Sequence, residues 1–252
     1  MRRSLLRSVW ALIFLLVLLV PLVLCLLVDD RSHVFDEMSV TFGLLAASVL
    51  VCAAVLPSRL RSLTQSFGIE RVLKTHRYLG LLALVLVLLH AVLVFVANPH
   101  NLALLDVRHA PNRARAAVGA TGGLLVLSLL AVVRKRVHRR YEMWRWMHVT
   151  FAVLVLVLSA LHVWWLNHLV RDPLMRACFV IMAAGLLVLL AIRWVWRPII
   201  AHRRAFVVRE VRAESPSVST VVLQPRSRRR RVALQFSPGQ FAWLRLHRSS
   251  FV

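Results

Sequence analysis

Six stretches of about twenty apolar residues restrict what this chain can fold into. A helix of about twenty residues crosses the hydrocarbon layer of a bilayer, because that layer is about 30 Å thick and each residue adds about 1.5 Å. Of the 252 residues 60% are hydrophobic, and the mean hydropathy is +0.73. The predicted spans are 9–28, 38–56, 77–97, 116–133, 147–166 and 175–196. The sequence therefore predicts an all-α membrane protein, with a six-helix transmembrane bundle in residues 1–198.

The formal net charge of +23 is unusual, but its distribution argues against a nucleic-acid partner. The basic residues gather in the N-terminal segment and in the second and fourth connections, whereas the first connection, "DDRSHVFDE", is acidic. By the positive-inside rule, this pattern predicts a multi-pass protein of the cell membrane with both termini in the cytoplasm. The third connection, with Arg108, Arg113 and Arg115, fits the rule least well. The expected surroundings are membrane lipid.

The three cysteines, Cys25, Cys52 and Cys178, lie inside apolar segments and lack Cys-x-x-Cys spacing. They predict neither a disulfide framework nor a thiolate metal site. The N-terminal apolar run is long and has no small-residue cleavage site, so it is interpreted as an uncleaved first helix.

The composition changes after Pro198. The segment "AFVVREVRAESPSVSTVVLQP" has short runs of Val and Phe broken by Ser-Pro, and "VALQFSPGQFAWLRLHRSSFV" repeats this pattern around Pro238-Gly239. Both patterns are typical of strands joined by turns. Residues 199–252 are therefore predicted to form an incomplete antiparallel β-barrel segment of about three strands.

Four histidines in the third and fifth spans share one spacing. His76 and His90 are fourteen residues apart, and so are His148 and His162. Fourteen helical residues advance about 21 Å and leave the second side chain about 40° from the first, on nearly the same face. The two spans run parallel in the predicted topology, so His76 is level with His148 and His90 with His162. The sequence predicts two histidine pairs stacked along the membrane normal.

Paired imidazoles suit the two axial positions of a haem iron, and an ionisable group inside a bilayer usually has a function. Zinc or copper would require three or four donors, and no carboxylate or cysteine is spaced to join either pair. With both axial positions filled, electron transfer is favoured over bond-making at the metal. The open alternative is that the four histidines only make hydrogen bonds between helices.

Neighbouring residues fit a haem site. Gly80, Ala83 and Ala152 follow the first histidine of each span at helical spacing and would leave room for a flat macrocycle. The candidates for pairing with haem propionates are Lys74, Arg77 and Arg145, at the predicted cytoplasmic level.

The spans "HRYLGLLALVLVLLH" and "HVTFAVLVLVLSALH", together with "FSPGQFAWLRL", resemble the ferric reductase-like transmembrane family. This family includes the ferric reductases, the NADPH oxidases and bacterial relatives. The resemblance implies two b-type haems, held by His76 with His148 and by His90 with His162. It also implies FAD, reduced by NAD(P)H, in a ferredoxin-reductase-type barrel. Residues 199–252 resemble the beginning of such a barrel. The family's main flavin motif and its nicotinamide domain are absent from these 252 residues.

Three functions remain open at this point. The first is an oxidoreductase, the membrane part of a flavohaem reductase. It would pass electrons from NAD(P)H to an extracytoplasmic acceptor such as a ferric chelate or oxygen. This chain as it stands would not be self-sufficient for that reaction. The second is a cytochrome b subunit that serves a separate dehydrogenase or reductase partner. The third is a membrane protein without redox chemistry.

Overall fold

The computed structural model describes residues 2–28, 34–58, 60–134, 141–167, 169–196, 199 and 206–225. Six helices in these ranges are long and apolar enough to cross a membrane, which confirms the predicted fold class. Helices α1 to α7 are Arg2–Val28, Val34–Val55, Arg61–Phe67, Ile69–Ala97, Asn112–Val133, Tyr141–Trp165 and Pro173–Ala191. The short α3 was not predicted. Two 3-10 segments, Leu56–Ser58 and Pro99–Leu105, and a π-helical turn, Ile192–Trp196, complete the helical part.

Helix α4 begins eight residues before the predicted third span. Gly68 separates it from α3 with a φ of 81°, a conformation that favours glycine, and its N–H donates to the Thr64 carbonyl at 2.9 Å. Hydropathy marks only the lipid-crossing part of a helix, so the polar first turns of α4 escaped the prediction. The earlier start places His76 well inside a helix instead of in a loop.

Large apolar side chains remain exposed along the long helices, as expected where lipid is the solvent. Leu26, Val132 and Ile181 are exposed by 78%, 76% and 70%. Buried residues, by contrast, lie where helices meet.

Helix α4 packs most extensively on α2, and α6 packs most extensively on α5. Small residues permit both close approaches. Ala46 of α2 and Ala83 of α4 are buried in one cluster, and a Cβ added at Gly123 of α5 would lie 2.8 Å from Val155 Cγ2 of α6. The bundle core therefore contains two tight helix pairs, α2/α4 and α5/α6.

The outer helices pack on this core at several points. A cluster with Cys25, Leu44 and Met175 at its centre joins α1, α2 and α7. The Arg7 side chain donates to the Ser66 carbonyl at 2.6 Å and ties α1 to α3. Cys25 and Cys52 are buried and Cys178 is half-buried, and none of the three forms a disulfide in the part of the chain that the structure describes.

Residues 190–252 form a separate compact unit. Its described strands, β1 (Phe206–Ser215) and β2 (Val218–Pro225), form an antiparallel hairpin. The turn falls at Pro216 and Ser217, where Ser-Pro predicted a break. This two-stranded sheet is not closed. The third predicted strand, with Pro238, Gly239, Gln240 and Phe241, lies outside the described residues.

Candidate haem site

The structure brings the four histidines of the third and fifth spans together in two pairs across α4 and α6. The ring centroids of His76 and His148 are 6.2 Å apart, with an angle of 75° between the ring planes. Those of His90 and His162 are 6.5 Å apart, at 68°. His76 with His148 is called the first pair below, and His90 with His162 the second pair.

These separations are those of two imidazoles on opposite sides of one metal ion. A metal–imidazole bond of about 2.0–2.1 Å on each side, with about 1 Å from nitrogen to ring centre, puts the centroids about 6 Å apart. Two rings on one axis can take any angle about it, so 75° and 68° are both compatible with bis-histidine ligation. The observed geometry therefore fits a haem iron between the rings of each pair.

Three of the four rings have their Nδ1 atom held by a backbone carbonyl of a neighbouring helix. His76 Nδ1 lies 2.9 Å from the Ala53 oxygen, His90 Nδ1 lies 2.6 Å from the Ser39 oxygen and His162 Nδ1 lies 2.9 Å from the oxygen of Arg113. A carbonyl can only accept a hydrogen bond, so Nδ1 carries the proton in each ring. The nitrogen left to bind a metal is Nε2, in the arrangement common for metal-bound histidine.

Helix α2 holds both histidines of α4, which sequence reasoning did not foresee. Ala53 is within the last four residues of α2, whose carbonyls lack partners inside the helix, so its oxygen is available to His76. Gly43 lies against the other ring: an added Cβ would be 3.0 Å from His90 Nδ1 and 3.1 Å from Cε1. A glycine within an apolar span was the one sequence signal for this contact.

His148 is held differently from the other three histidines. Its Nδ1 is buried and has no hydrogen-bond partner among the described residues. Its ring stacks on Trp144, with centroids 5.2 Å apart and an interplanar angle of 21°. The Arg134 guanidinium lies 4.8 Å from the Trp144 ring centroid, and the Trp144 indole N–H donates to the Leu130 carbonyl at 2.9 Å. Trp144 and His148 are four residues apart on one face of α6, a spacing that the sequence shows. The contacts of Trp144 with Leu130 and Arg134 join α6 to α5, and the sequence does not show them.

An apolar cluster joins the two tight helix pairs of the core. Leu124, Leu127 and Val155 are its buried centre, and Leu50, Leu84, Val87, Phe151 and Ala152 pack against them. Val155 is seven residues from each histidine of α6, so the cluster lies at a depth between the two histidine pairs. This apolar cluster leaves little polar surface between the two histidine pairs.

The small residues predicted to make room for a macrocycle have different surroundings. Ala83 is fully buried against Ala46 and Val49 of α2, so its interpretation as haem room is wrong: its small size permits helix contact. Ala152 packs in the apolar cluster. A Cβ added at Gly80 would meet nothing within 4 Å, which fits the predicted open face.

The three residues predicted to bind propionates lie at the His76 and His148 end of their helices. Lys74 and Arg77 are exposed and Arg145 is half-buried. The Lys74 ammonium lies 5.9 Å from the Tyr78 ring centroid. Their role with propionates stays a prediction, and Arg134 joins them as a cation close to the first pair.

Within the described ranges, no three His, Cys, Asp or Glu side chains gather as a metal site would require. Paired histidines suit a cofactor that supplies its remaining ligands itself, as a porphyrin does for iron.

Comparison with known proteins gives a match to one family model and none to a curated protein. The match covers less of the chain than the sequence resemblance suggested, and it ends before the strands. It includes His76, His90 and His148, and His162 follows three residues beyond it. Residues 42–159 match the family described as "Ferric reductase like transmembrane component", a match that extends from α2 into α6.

Proposed function

We propose that the chain carries electrons across the membrane through two bis-histidine b-type haems. It would serve as the membrane part of an NAD(P)H-dependent flavohaem reductase, with both termini in the cytoplasm. The observation that carries the proposal is the repeated geometry of the two histidine pairs, at 6.2 and 6.5 Å. The family match to residues 42–159 supports the same chemistry.

Bound haem would supply a one-electron carrier at each pair. The protein's own contribution is to hold three rings with Nε2 available, through the carbonyls of Ser39, Ala53 and Arg113, and to hold the plane of the fourth ring, His148, against the face of Trp144. With two protein imidazoles held by each iron, the haem would supply electron transfer without bond formation at the metal.

The spacing along the helices supports a transmembrane path. Fourteen residues separate the two pairs by about 21 Å along the helix axis, a large part of a hydrocarbon layer about 30 Å thick. The apolar cluster around Val155 offers water few hydrogen-bonding groups between the two levels.

Electrons would reach the first pair from a flavin reduced by NAD(P)H on the cytoplasmic side. The hairpin of β1 and β2 and the following "FSPGQFAWLRL" support a flavin barrel that begins after α7. In the alternative proposal, the chain is a cytochrome b subunit and a separate dehydrogenase or reductase supplies or takes up the electrons.

A reduced-minus-oxidised spectrum of the purified chain, with haem quantified as its pyridine complex, tests the haem proposal. We expect a b-type spectrum and two haems per chain. A protein without a b-type signal, or a His90→Ala/His148→Ala double variant with its haem intact, would contradict the assignment.

Adding FAD with NADH or NADPH to the product of the full gene, purified without other proteins, separates the two electron sources. Reduction of the haem signal under these conditions supports the flavohaem reductase, whose nicotinamide domain would follow these 252 residues. Haem that dithionite reduces, but that FAD with NADH or NADPH leaves oxidised in that protein, favours the subunit alternative.

A further inference from the structure

The second histidine pair lies next to a cavity with a cationic lining. The cavity has a volume of about 440 Å³ and is lined by Arg113, Trp165, Leu166, Asn167 and Arg171. This volume is within the range of small-molecule sites, about 300–1,000 Å³. The cavity lies at the His162 end of α6, since Trp165 and Leu166 follow that histidine within four residues.

Arg113 contributes to both the histidine pair and the cavity. Its backbone carbonyl accepts from His162 Nδ1 at 2.9 Å, and the same residue, which is exposed, is part of the cavity lining. A molecule in the cavity would therefore lie against the residue whose carbonyl holds His162 of the second pair. The division between backbone and side chain also means that the arginine side chain can be changed without removing the carbonyl that holds His162.

The charge of the lining selects a class of ligand. Two arginines and one asparagine supply N–H donors, and none of the described residues lining the cavity is acidic. Arginine is the preferred partner of planar and multivalent anions because its fork of donors is always charged. Trp165 adds an apolar aromatic surface that suits a planar ring of the ligand.

We propose that this cavity binds the electron acceptor and selects acceptors that carry negative charge. The inference rests on the proposed function, because only a haem held by the second pair could donate an electron there. One electron would pass from the ferrous iron of that haem to one bound acceptor, so that the iron becomes ferric and the acceptor leaves reduced by one electron. Both arginines are exposed, so the attraction also raises the rate of encounter and weakens with salt.

Binding of hexacyanocobaltate(III), a trivalent anion that is redox-inert under these conditions, tests the site without turnover. Isothermal titration calorimetry on the purified full chain in phosphatidylcholine nanodiscs gives the dissociation constant. We expect saturable binding to the wild type, and an Arg113→Gln/Arg171→Gln variant that binds at least about tenfold more weakly. The matched control is Arg176→Gln, which removes one positive charge from α7 outside the cavity lining and should change the constant by less than about twofold.

Reoxidation kinetics add a functional measurement. Dithionite-reduced protein is mixed with ferricyanide or with hexaammineruthenium(III), which are one-electron oxidants of opposite charge. The double variant should need at least about tenfold more ferricyanide for half-maximal rate, with no such increase for the ruthenium cation. Its reduced spectrum should equal that of the wild type, because the Arg113 carbonyl remains.

Three results would overturn the inference. The first is a wild type that does not bind the cobalt anion, and the second is a double variant that binds it as tightly as Arg176→Gln does. The third is binding that is abolished in phosphatidylglycerol nanodiscs, which would assign the cavity to a lipid headgroup. The proposed function fails by a different result, the lack of a b-type spectrum, and the calorimetric measurement does not depend on haem.

Discussion

The two histidine pairs have nearly the same ring spacing but differ in how their rings are held. Both rings of the second pair donate to carbonyls, of Ser39 and Arg113. In the first pair His76 donates to Ala53, whereas His148 stacks on Trp144. A hydrogen bond fixes the tautomer and makes the ligand more basic, while a stacked ring fixes only the plane. We therefore expect two haem sites with distinct properties.

Loss of one ligand from each pair should have the largest effect. His90→Ala and His148→Ala should each reduce the haem content from two per chain to one, because a single imidazole remains at the affected level. Haem quantification as the pyridine complex measures this. His109→Ala, on an exposed loop residue, is the control and should retain two haems. Equal loss of both haems in either variant would show that the pairs do not act as separate sites.

Gly43→Ala should perturb the second pair alone. The added methyl group would lie 3.0 Å from His90 Nδ1 and would displace the ring from the Ser39 carbonyl. Alanine is favoured over glycine inside a helix by about 1 kcal/mol, so a loss cannot come from helix propensity. We expect a changed low-spin ferric signal, or loss of one haem, by electron paramagnetic resonance.

The matched control for this prediction is Gly185→Ala in α7, where an added Cβ meets nothing within 4 Å. It should leave both haem signals unchanged. A Gly43→Ala protein with the wild-type signals would show that the close approach of α2 does not position His90.

Trp144→Leu should shift the midpoint potential of the first pair's haem by tens of millivolts. An aromatic pair contributes about 0.5–1.5 kcal/mol, which corresponds to about 20–65 mV for one electron if the stack favours one oxidation state. Trp144→Phe retains a stacking ring and should shift the potential less. Spectroscopic redox titration measures both.

Trp164→Leu is the matched control, since Trp164 is 52% exposed and lies near the other histidine of the same helix. Its first-pair potential should equal that of the wild type. Equal shifts of the first-pair potential in Trp144→Leu and Trp164→Leu would show that the effect comes from loss of any tryptophan and not from the stack on His148.

Asp106→Asn should have the smallest effect. The His109 side chain, at 2.8 Å, and the Arg108 N–H hold the pKa of the Asp106 carboxyl below its usual value. Stability from a lowered carboxyl pKa is present above the ordinary value of about 3.9 and is lost as the pH falls through the lowered one. Asp106→Asn removes this stabilisation between pH 5 and 8, but both side chains of the pair are exposed, so we expect only a small fall in melting temperature and unchanged haem spectra. A change in the second pair's spectrum at pH 7 would show that this exposed loop supports that site.

Much of the fold could be predicted from sequence because a bilayer imposes strong rules. Apolar length alone located six spans, and the fourteen-residue interval between histidines placed two side chains on one face of each helix. The start of α4 was missed because its first turns are polar, and α3 because a seven-residue helix has no apolar run long enough to be noticed. The interpretation of Ala83 as room for a haem was also wrong, because spacing shows on which face of a helix a residue lies but not which neighbouring helix covers that face.

The sequence by itself therefore determined the spans, the hairpin turn at Ser-Pro and the levels of the four histidines, because periodicity and hydropathy are local properties of the chain. Only the tertiary structure decided which groups hold each ring. The carbonyls of Ser39, Ala53 and Arg113 carry no side-chain signature, and the contacts of Trp144 with Arg134 and Leu130 depend on how α5 packs against α6. Contacts between helices depend on the crossing geometry of whole elements, and that is why the sequence predicted the two pairs but not the difference between them.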